Sequence, residues 1–333
     1  MQVAVIGAGG WGTALALLLT SGGHQVRLWV RRASLCQQMQ RERENVVYLP
    51  GVRLPEQLVL TSSLAQAVAN AAIVVFAVPS HGTRAIANEI APLLQGSPLF
   101  VSATKGIEED SFITMSGVLS AIFGKQSENC IAVLSGPSFA AEVARQCPTA
   151  VTLAARDLSV ATTLQKVFSS PRFRVYTISD VIGVEIGGAV KNVIALAAGV
   201  SDGFDYGHSA RAALITRGLV EMKRLAVRLG AEAQTLSGLS GMGDLILTCT
   251  SNLSRNYRVG VRLAQGEQLP AILQNMLMVA EGVRTSRSVF TLARRLAVEM
   301  PIVEQVYALL YEGKPCEKVL ADLLAREMKP EFP

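Results

Sequence analysis

The chain has 333 residues, half of them apolar and 17% charged, so it is long enough for about two packed domains and is unlike a disordered chain. Its formal charge of +5 suits an anionic ligand, yet no run of five like charges occurs and the basic residues are dispersed, which argues against nucleic-acid binding. Five scattered cysteines (Cys36, Cys130, Cys147, Cys249, Cys316) without a C-x-x-C pair, and three histidines (His24, His81, His208) without metal-ligand spacing, point to a reducing compartment with no disulfide framework and no metal site.

The first predicted element is a strand, Val3 to Ile6, which runs directly into glycines with no basic lead or cleavage site, so no secretory signal is expected and the location reads as cytoplasmic. The loop Gly7-Ala8-Gly9-Gly10-Trp11-Gly12 then opens a helical run, Thr13 to Thr20. In that context Gly7 permits a tight turn, Gly9 lets backbone approach a pyrophosphate and Gly12 lets the helix pack on the strand, which reads as a dinucleotide loop. The phosphate would meet free N–H groups at the helix start. The second strand, Val26 to Val30, ends on Arg31-Arg32 instead of the carboxylate that binds an unphosphorylated ribose. Two guanidiniums attract a 2′-phosphate, so NADPH is favoured over NADH; a solvated pair opening the next helix is the plainer reading of the same residues.

Further strands are predicted at Leu58 to Thr61, Ile73 to Val78, Leu99 to Ala103, Ile131 to Leu134, Val151 to Ala154 and Phe173 to Thr177. Most precede a helical segment, and several are apolar on both faces, as in a largely parallel sheet covered by helices on both sides. Lys105, in Ser102-Ala-Thr-Lys105-Gly106, falls at the C-terminal edge of this sheet, where open α/β folds bind ligands. Ser135-Gly136-Pro137-Ser138-Phe139-Ala140 repeats that arrangement after the next strand, either as an anion or nicotinamide contact or as a helix cap.

After Asp180 the texture becomes helical, so the chain divides into an α/β unit over 1–180, a Rossmann-like doubly wound sheet, and an all-helical unit over 181–333. Val181 to Val200 could imitate a membrane span, but it holds Glu185, Lys191 and Asn192, and a basic residue at mid-span costs roughly 2.5–3.5 kcal/mol on insertion. A helix buried in a protein core is expected instead. Lys191 there has almost no polar face to occupy, and burial lowers a lysine pKa into the range useful for proton transfer. Helices follow over Ala212 to Leu229 and Ser286 to Leu296, punctuated by Gly230, Gly266 and Pro270. Between them, Asp244 is suited to hold a lysine ammonium, and Arg255 offers a fork for phosphate with Ser254 and Asn256 as added donors; a capped helix start with a solvated arginine fits these residues too. The tail, Lys329 to Pro333, has nothing in sequence to pack with.

Taken in order, the Gly7–Ala14 loop, Val78-Pro79-Ser80, Ala103-Thr-Lys105-Gly106, Ser135 to Ala140, Gly187-Gly-Ala-Val-Lys-Asn-Val193, Ala213-Leu-Ile-Thr-Arg-Gly218, Gly243-Asp244 to Asn256 and Val279-Ala-Glu281-Gly282 resemble the bacterial NAD(P)-dependent glycerol-3-phosphate dehydrogenases over nearly the whole length. The resemblance implies that Lys191 is the proton-transfer lysine, that Asp244 and Thr248 are its polar partners, and that Lys105 is a second active-site lysine near both substrate and nicotinamide. It implies substrate contacts at Gly136, Ser138, Ser254, Arg255 and Asn256, together with Lys105, Lys191 and Asp244. Cofactor contacts are implied at Gly10, Trp11, Arg31, Arg32, Ala140, Val279 and Glu281, beside Gly7, Gly9 and Gly12, with Lys105 and Arg255 touching both ligands. Gly10, Ala141 and Ser209 depart from the residues common in that family.

The reaction so implied is reversible reduction of dihydroxyacetone phosphate to sn-glycerol 3-phosphate, in a soluble homodimer that supplies glycerophospholipid synthesis. Two rivals stand beside it. A β-hydroxyacid or 6-phosphogluconate-type dehydrogenase pairs the same two units, but there the lysine and asparagine usually sit a helical turn apart, whereas Lys191 and Asn192 are adjacent. A non-catalytic NADP-binding sensor would have no need of Lys105, Lys191, Asp244 and Arg255 together.

Overall fold

The computed structural model describes residues 1–328, 330 and 331; Lys329, Phe332 and Pro333, three of the five tail residues, lie outside it. The carbonyl of Glu331 accepts from Arg217 at 3.5 Å. Ten strands occur among the described residues: β1 (Gln2–Ile6), β2 (Gln25–Trp29), β3 (Glu44–Asn45), β4 (Leu49–Arg53), β5 (Val59–Thr61), β6 (Ile73–Phe76), β7 (Leu99–Ser102), β8 (Ile131–Ser135), β9 (Thr149–Ala155) and β10 (Phe173–Ile178). Eight of them form one sheet in the order β10-β9-β8-β7-β6-β1-β2-β5. These eight are the eight strands expected from the apolar runs.

Strand β1 shows why such runs make a two-sided sheet. Val3 and Val5 point into one apolar cluster with Leu15, Leu28 and Val101, while Ala4 and Ile6 point into another with Val74, Phe76 and Phe100. The period of two thus feeds both faces, and helices cover each. Pairing is parallel from β5 through to β8, but β8 meets β9 antiparallel, and β10 follows β9. The sheet is therefore mixed, with two reversed strands at one edge. The chain leaves β1 toward β2 on one side and continues with β6 on the other, so the switch point lies at the C-terminal end of β1.

The helical part is built around Val181–Gly203, whose N-terminus is capped by Asp180 accepting from Gly183 N–H at 2.8 Å. From Val181 to Ser201 all but Ile182 are buried, as a helix apolar all round requires. It is long and apolar enough to cross a membrane, yet it is mostly buried inside the protein. Helices Gly207–Arg228, Arg255–Ala264, Glu281–Arg295 and Pro301–Tyr311 surround it and fill the core between them with Val193, Ile194, Met222, Val289 and Val303.

Its closest neighbour is Arg255–Ala264, and two glycines allow the approach. A Cβ on Gly199 would stand 2.0 Å from the Tyr257 carbonyl oxygen, and one on Gly260 would stand 2.1 Å from that of Leu196. Backbone blocks both methyls, so neither can be absorbed by a rotamer change. Overpacking of this kind costs about 1–3 kcal/mol. Gly199→Ala and Gly260→Ala should each lower the unfolding free energy by that amount, read as a lower urea midpoint with an unchanged slope.

Candidate active site

The glycine loop leaves β1 through Gly7, whose φ of +115° favours glycine and whose Cβ would lie 2.8 Å from the Ala77 carbonyl oxygen. Helix Gly10–Ser21 starts three residues later. Gly12 packs that helix on the turn, because a Cβ there would come within 1.9 Å of the Gly7 oxygen. Gly9 differs from both: a Cβ at its position meets nothing within 4 Å. It faces open space, as a backbone approached by a ligand should.

That space is a cleft of about 760 Å³ between the C-terminal edge of the sheet and the helical part, within the range of small-molecule and cofactor sites. Gly7, Gly9, Gly10, Trp11, Arg31, Arg32, Ala140 and Val279 all line it. The Trp11 Nε1–H is buried without a partner, so a donor waits beside the cleft. Arg31 and Arg32 stand exposed after β2, and Arg32 donates to the Tyr48 hydroxyl at 3.2 Å with its guanidinium 5.8 Å from that ring's centroid. An open Gly9, an orphaned indole N–H and paired guanidiniums fit a phosphorylated dinucleotide.

Deeper in, three elements converge. Lys105 follows β7, Lys191 stands midway along Val181–Gly203, and Asp244 opens helix Asp244–Cys249 after a π-helical turn over Leu239–Gly243. Lys191 Nζ donates to Asp244 Oδ1 at 2.5 Å and to Thr248 Oγ1 at 2.8 Å. Lys105 Nζ donates to the other carboxylate oxygen at 2.6 Å and to the Gly136 carbonyl at 3.2 Å. Thr248 in turn donates to the Asp244 carbonyl at 2.6 Å. Burial pulls the Lys191 ammonium down to about 8; the Asp244 carboxylate opposes that fall and the Lys105 ammonium adds to it. One carboxylate therefore holds two ammoniums at the cleft floor.

The structure distributes the expected substrate residues unevenly. Both lysines, Thr248, Ser138, Ser254, Arg255 and Asn256 line the cleft, but Gly136 and Asp244 do not. Gly136 turns its carbonyl to Lys105 and abuts Val151, while Asp244 lies beneath the lysines. Ser254 caps helix Arg255–Ala264 by accepting from Tyr257 N–H. Asn256 uses its amide within the protein, donating to Asn192 Oδ1 and accepting from Gly282 N–H, both at 2.9 Å. Arg255 donates to the Val279 carbonyl at 2.7 Å. Glu281 accepts from Ser80 N–H at 3.1 Å and Ser80 Oγ at 2.6 Å, joining the helical part to the helix Ser80–Ile90.

Several contributors escaped the sequence reading. Asn45, on the short ribbon of β3 and β4, is fully buried and donates to the Ala8 carbonyl at 3.0 Å and Thr13 Oγ1 at 2.8 Å, so it props the glycine loop. Tyr48 lies between its strands, and its carbonyl would meet a Cβ at Gly10 at 2.8 Å, which accounts for glycine there. Arg258, one turn beyond Arg255, also lines the cleft. Its i+3 spacing from Arg255 was the available signal. No cluster of His, Cys, Asp or Glu able to hold a metal occurs among the described residues.

Residues 2–161 match the family model described as the N-terminus of NAD-dependent glycerol-3-phosphate dehydrogenase, and residues 180–321 match its C-terminus. The chain belongs to the NAD-dependent glycerol-3-phosphate dehydrogenase family. It is 50% identical over 330 residues to the glycerol-3-phosphate dehydrogenase [NAD(P)+] of Geobacter sulfurreducens, covering 99% of this chain and 98% of that one. The crystal structure of glycerol-3-phosphate dehydrogenase from Coxiella burnetii superposes with a TM-score of 0.93 at 39% identity, over 98% and 99% of the two chains. A D-mandelate dehydrogenase shares only the fold, with a TM-score of 0.63 at 13% identity over 96% of this chain and all of that one. The oxidoreductase class and NAD(P) dependence follow from the family.

Removing the shared carboxylate leaves the buried Lys191 ammonium facing the half-buried one of Lys105, and breaking a buried pair costs about 3–5 kcal/mol. Asp244→Asn should lose stability in that range, read by urea denaturation at pH 7. Asp244→Asn/Lys105→Met, which also removes one ammonium, should recover part of it.

Proposed function

We propose that this chain reduces dihydroxyacetone phosphate to sn-glycerol 3-phosphate, with Lys191 as the proton donor and NADPH as the preferred reductant over NADH. The observation that carries the reading is the buried Lys191, held by Asp244 and Thr248 at the floor of a cleft rich in cations. Arg31, Arg32, Lys105, Lys191, Arg255 and Arg258 line that cleft, against Glu281 as the lining carboxylate among the described residues. Such a balance favours phosphate-bearing ligands.

On this reading the loop from Gly7 to Gly12, with Trp11, Ala140 and Val279, holds the dinucleotide, and Arg31 and Arg32 read its 2′-phosphate. When bound there, the reduced nicotinamide supplies a hydride to the ketone carbon. Lys191 gives its proton to the ketone oxygen as negative charge develops, and in reverse the neutral amine takes it back. Lys105 adds positive charge beside that oxygen without leaving Asp244. Arg255 and Ser254 fix the phosphate, which converts binding energy into orientation. The rest of the proposal is a cytoplasmic homodimer, divided near residue 180, whose product enters glycerophospholipid synthesis.

The direct test is a steady-state assay of dihydroxyacetone phosphate reduction. Lys191→Ala should abolish turnover while NADPH still binds, as followed by fluorescence; near-wild-type turnover would remove the assignment. The Lys191 value of about 8 gives a sign to the pH dependence. Reduction needs the ammonium, so its kcat/KM should fall as pH rises through about 8; oxidation needs the amine, so its kcat/KM should rise over the same window. Arg31→Ala/Arg32→Ala should raise KM for NADPH about tenfold or more, as loss of charge-assisted phosphate bonds implies, and leave KM for NADH nearly unchanged.

A further inference from the structure

Glu185 is a buried carboxylate that the reaction above does not use. It stands in the second turn of Val181–Gly203, and its oxygens accept from Ser116 N–H at 2.8 Å and Ser116 Oγ at 2.5 Å, with the Thr114 hydroxyl and Met115 N–H as further donors. Ser116 is the second residue of helix Met115–Phe123, so the carboxylate sits where unpaired N–H groups and the helix dipole favour negative charge. Three residues on, a Cβ at Gly188 would lie 2.8 Å from Ser135 Oγ and 3.4 Å from Lys105 Cγ, so the helix touches the sheet edge there. Three residues beyond that is Lys191. Glu185 is therefore the polar anchor on a stripe that ends at the proton donor.

We propose that Glu185 is a positioning residue for the reduction: its grip on Ser116 keeps the helix bearing Lys191 in register with the sheet edge bearing Lys105 and the nucleotide loop. The proposal rests on the function given above. Phosphate is gripped mainly by Arg255 and Ser254 of the helical part and the dinucleotide mainly by the sheet edge, with Val279 as a helical-side contact, so a slip of the helix disturbs the distance between the ligands more than either ligand's main contacts. What it changes is the distance between them. Turnover should then suffer while both KM values hold, whereas a purely structural cap would lower the folded fraction and leave kcat per folded molecule untouched.

The experiment compares full-length Glu185→Ala, Glu185→Gln and Ser116→Ala with wild type in dihydroxyacetone phosphate reduction by NADPH. Rates are normalised to folded protein by circular dichroism. Glu185→Ala should lose about ten- to a hundredfold in kcat, the scale of an ångström-sized misplacement, with both KM values unchanged. Glu185→Gln keeps an acceptor for the Ser116 N–H and should recover most of the rate; Ser116→Ala should fall between. Wild-type kcat per folded molecule in Glu185→Ala, or a loss carried by KM, overturns the proposal. If Glu185→Ala does not fold, Ser116→Ala decides: wild-type kcat there overturns it. Lys191→Ala run alongside separates the two readings. Inactivity in that variant with full rates in the Glu185 and Ser116 variants removes only the anchor, whereas a wild-type chain that does not reduce dihydroxyacetone phosphate removes both.

Discussion

The carboxylate of Asp244 is the constraint on which the site depends. Two ammoniums from distant parts of the chain share its two oxygens, and the buried Lys191 and Asp244 charges depend on each other while the half-buried Lys105 adds a second partner. The trio joins a loop at the end of β7, the middle of the central helix and a helix that begins after a π turn. A wider turn of that kind marks many functional sites, and here it presses against the central helix: a Cβ on Gly187 would stand 2.5 Å from the Ser240 carbonyl. The cluster keeps one excess positive charge, and that surplus faces the cleft.

The same economy appears in three other acids, each capping a helix that is not its own. Glu281 caps Ser80–Ile90 and Glu185 caps Met115–Phe123, both across the seam between helices and sheet. Glu221 accepts from Ile302 and Val303 N–H at the start of Pro301–Tyr311, and burial pushes its pKa up to about 8. Glu185 and Glu221 are buried and Glu281 is half-buried, and the cost of each is offset by donors that a helix start would otherwise leave unpaired. Two of these caps tie the helical part to the sheet side, and Glu281 does so at the cleft itself.

Much of this was legible in the chain. The eight sheet strands show as Val, Ile and Leu runs because both faces are buried, and Lys191 shows because its helix offers no polar face. The reversal of β9 was hidden, since pairing direction leaves no trace in hydropathy. The ribbon of β3 and β4 was hidden as well: one strand has two residues and the other carries Pro50-Gly51, so Asn45 and Tyr48 passed as loop. Asp244 was expected to hold one lysine; its second partner lies 139 residues away, beyond any local pattern. Asn256 was read as a ligand donor; it lines the cleft, and its amide also links the central helix to Gly282, a role that depends on tertiary packing.

The cation-lined cleft has a consequence outside the chemistry. Six positive side chains around a low-dielectric hollow draw anions inward before contact, over a reach of about 8 Å in physiological salt. Under the proposed function, capture of a multiply charged dinucleotide should therefore outpace random collision and slow as ionic strength rises. Free phosphate and sulfate are drawn by the same field, so the surrounding medium becomes a competitor for the entrance.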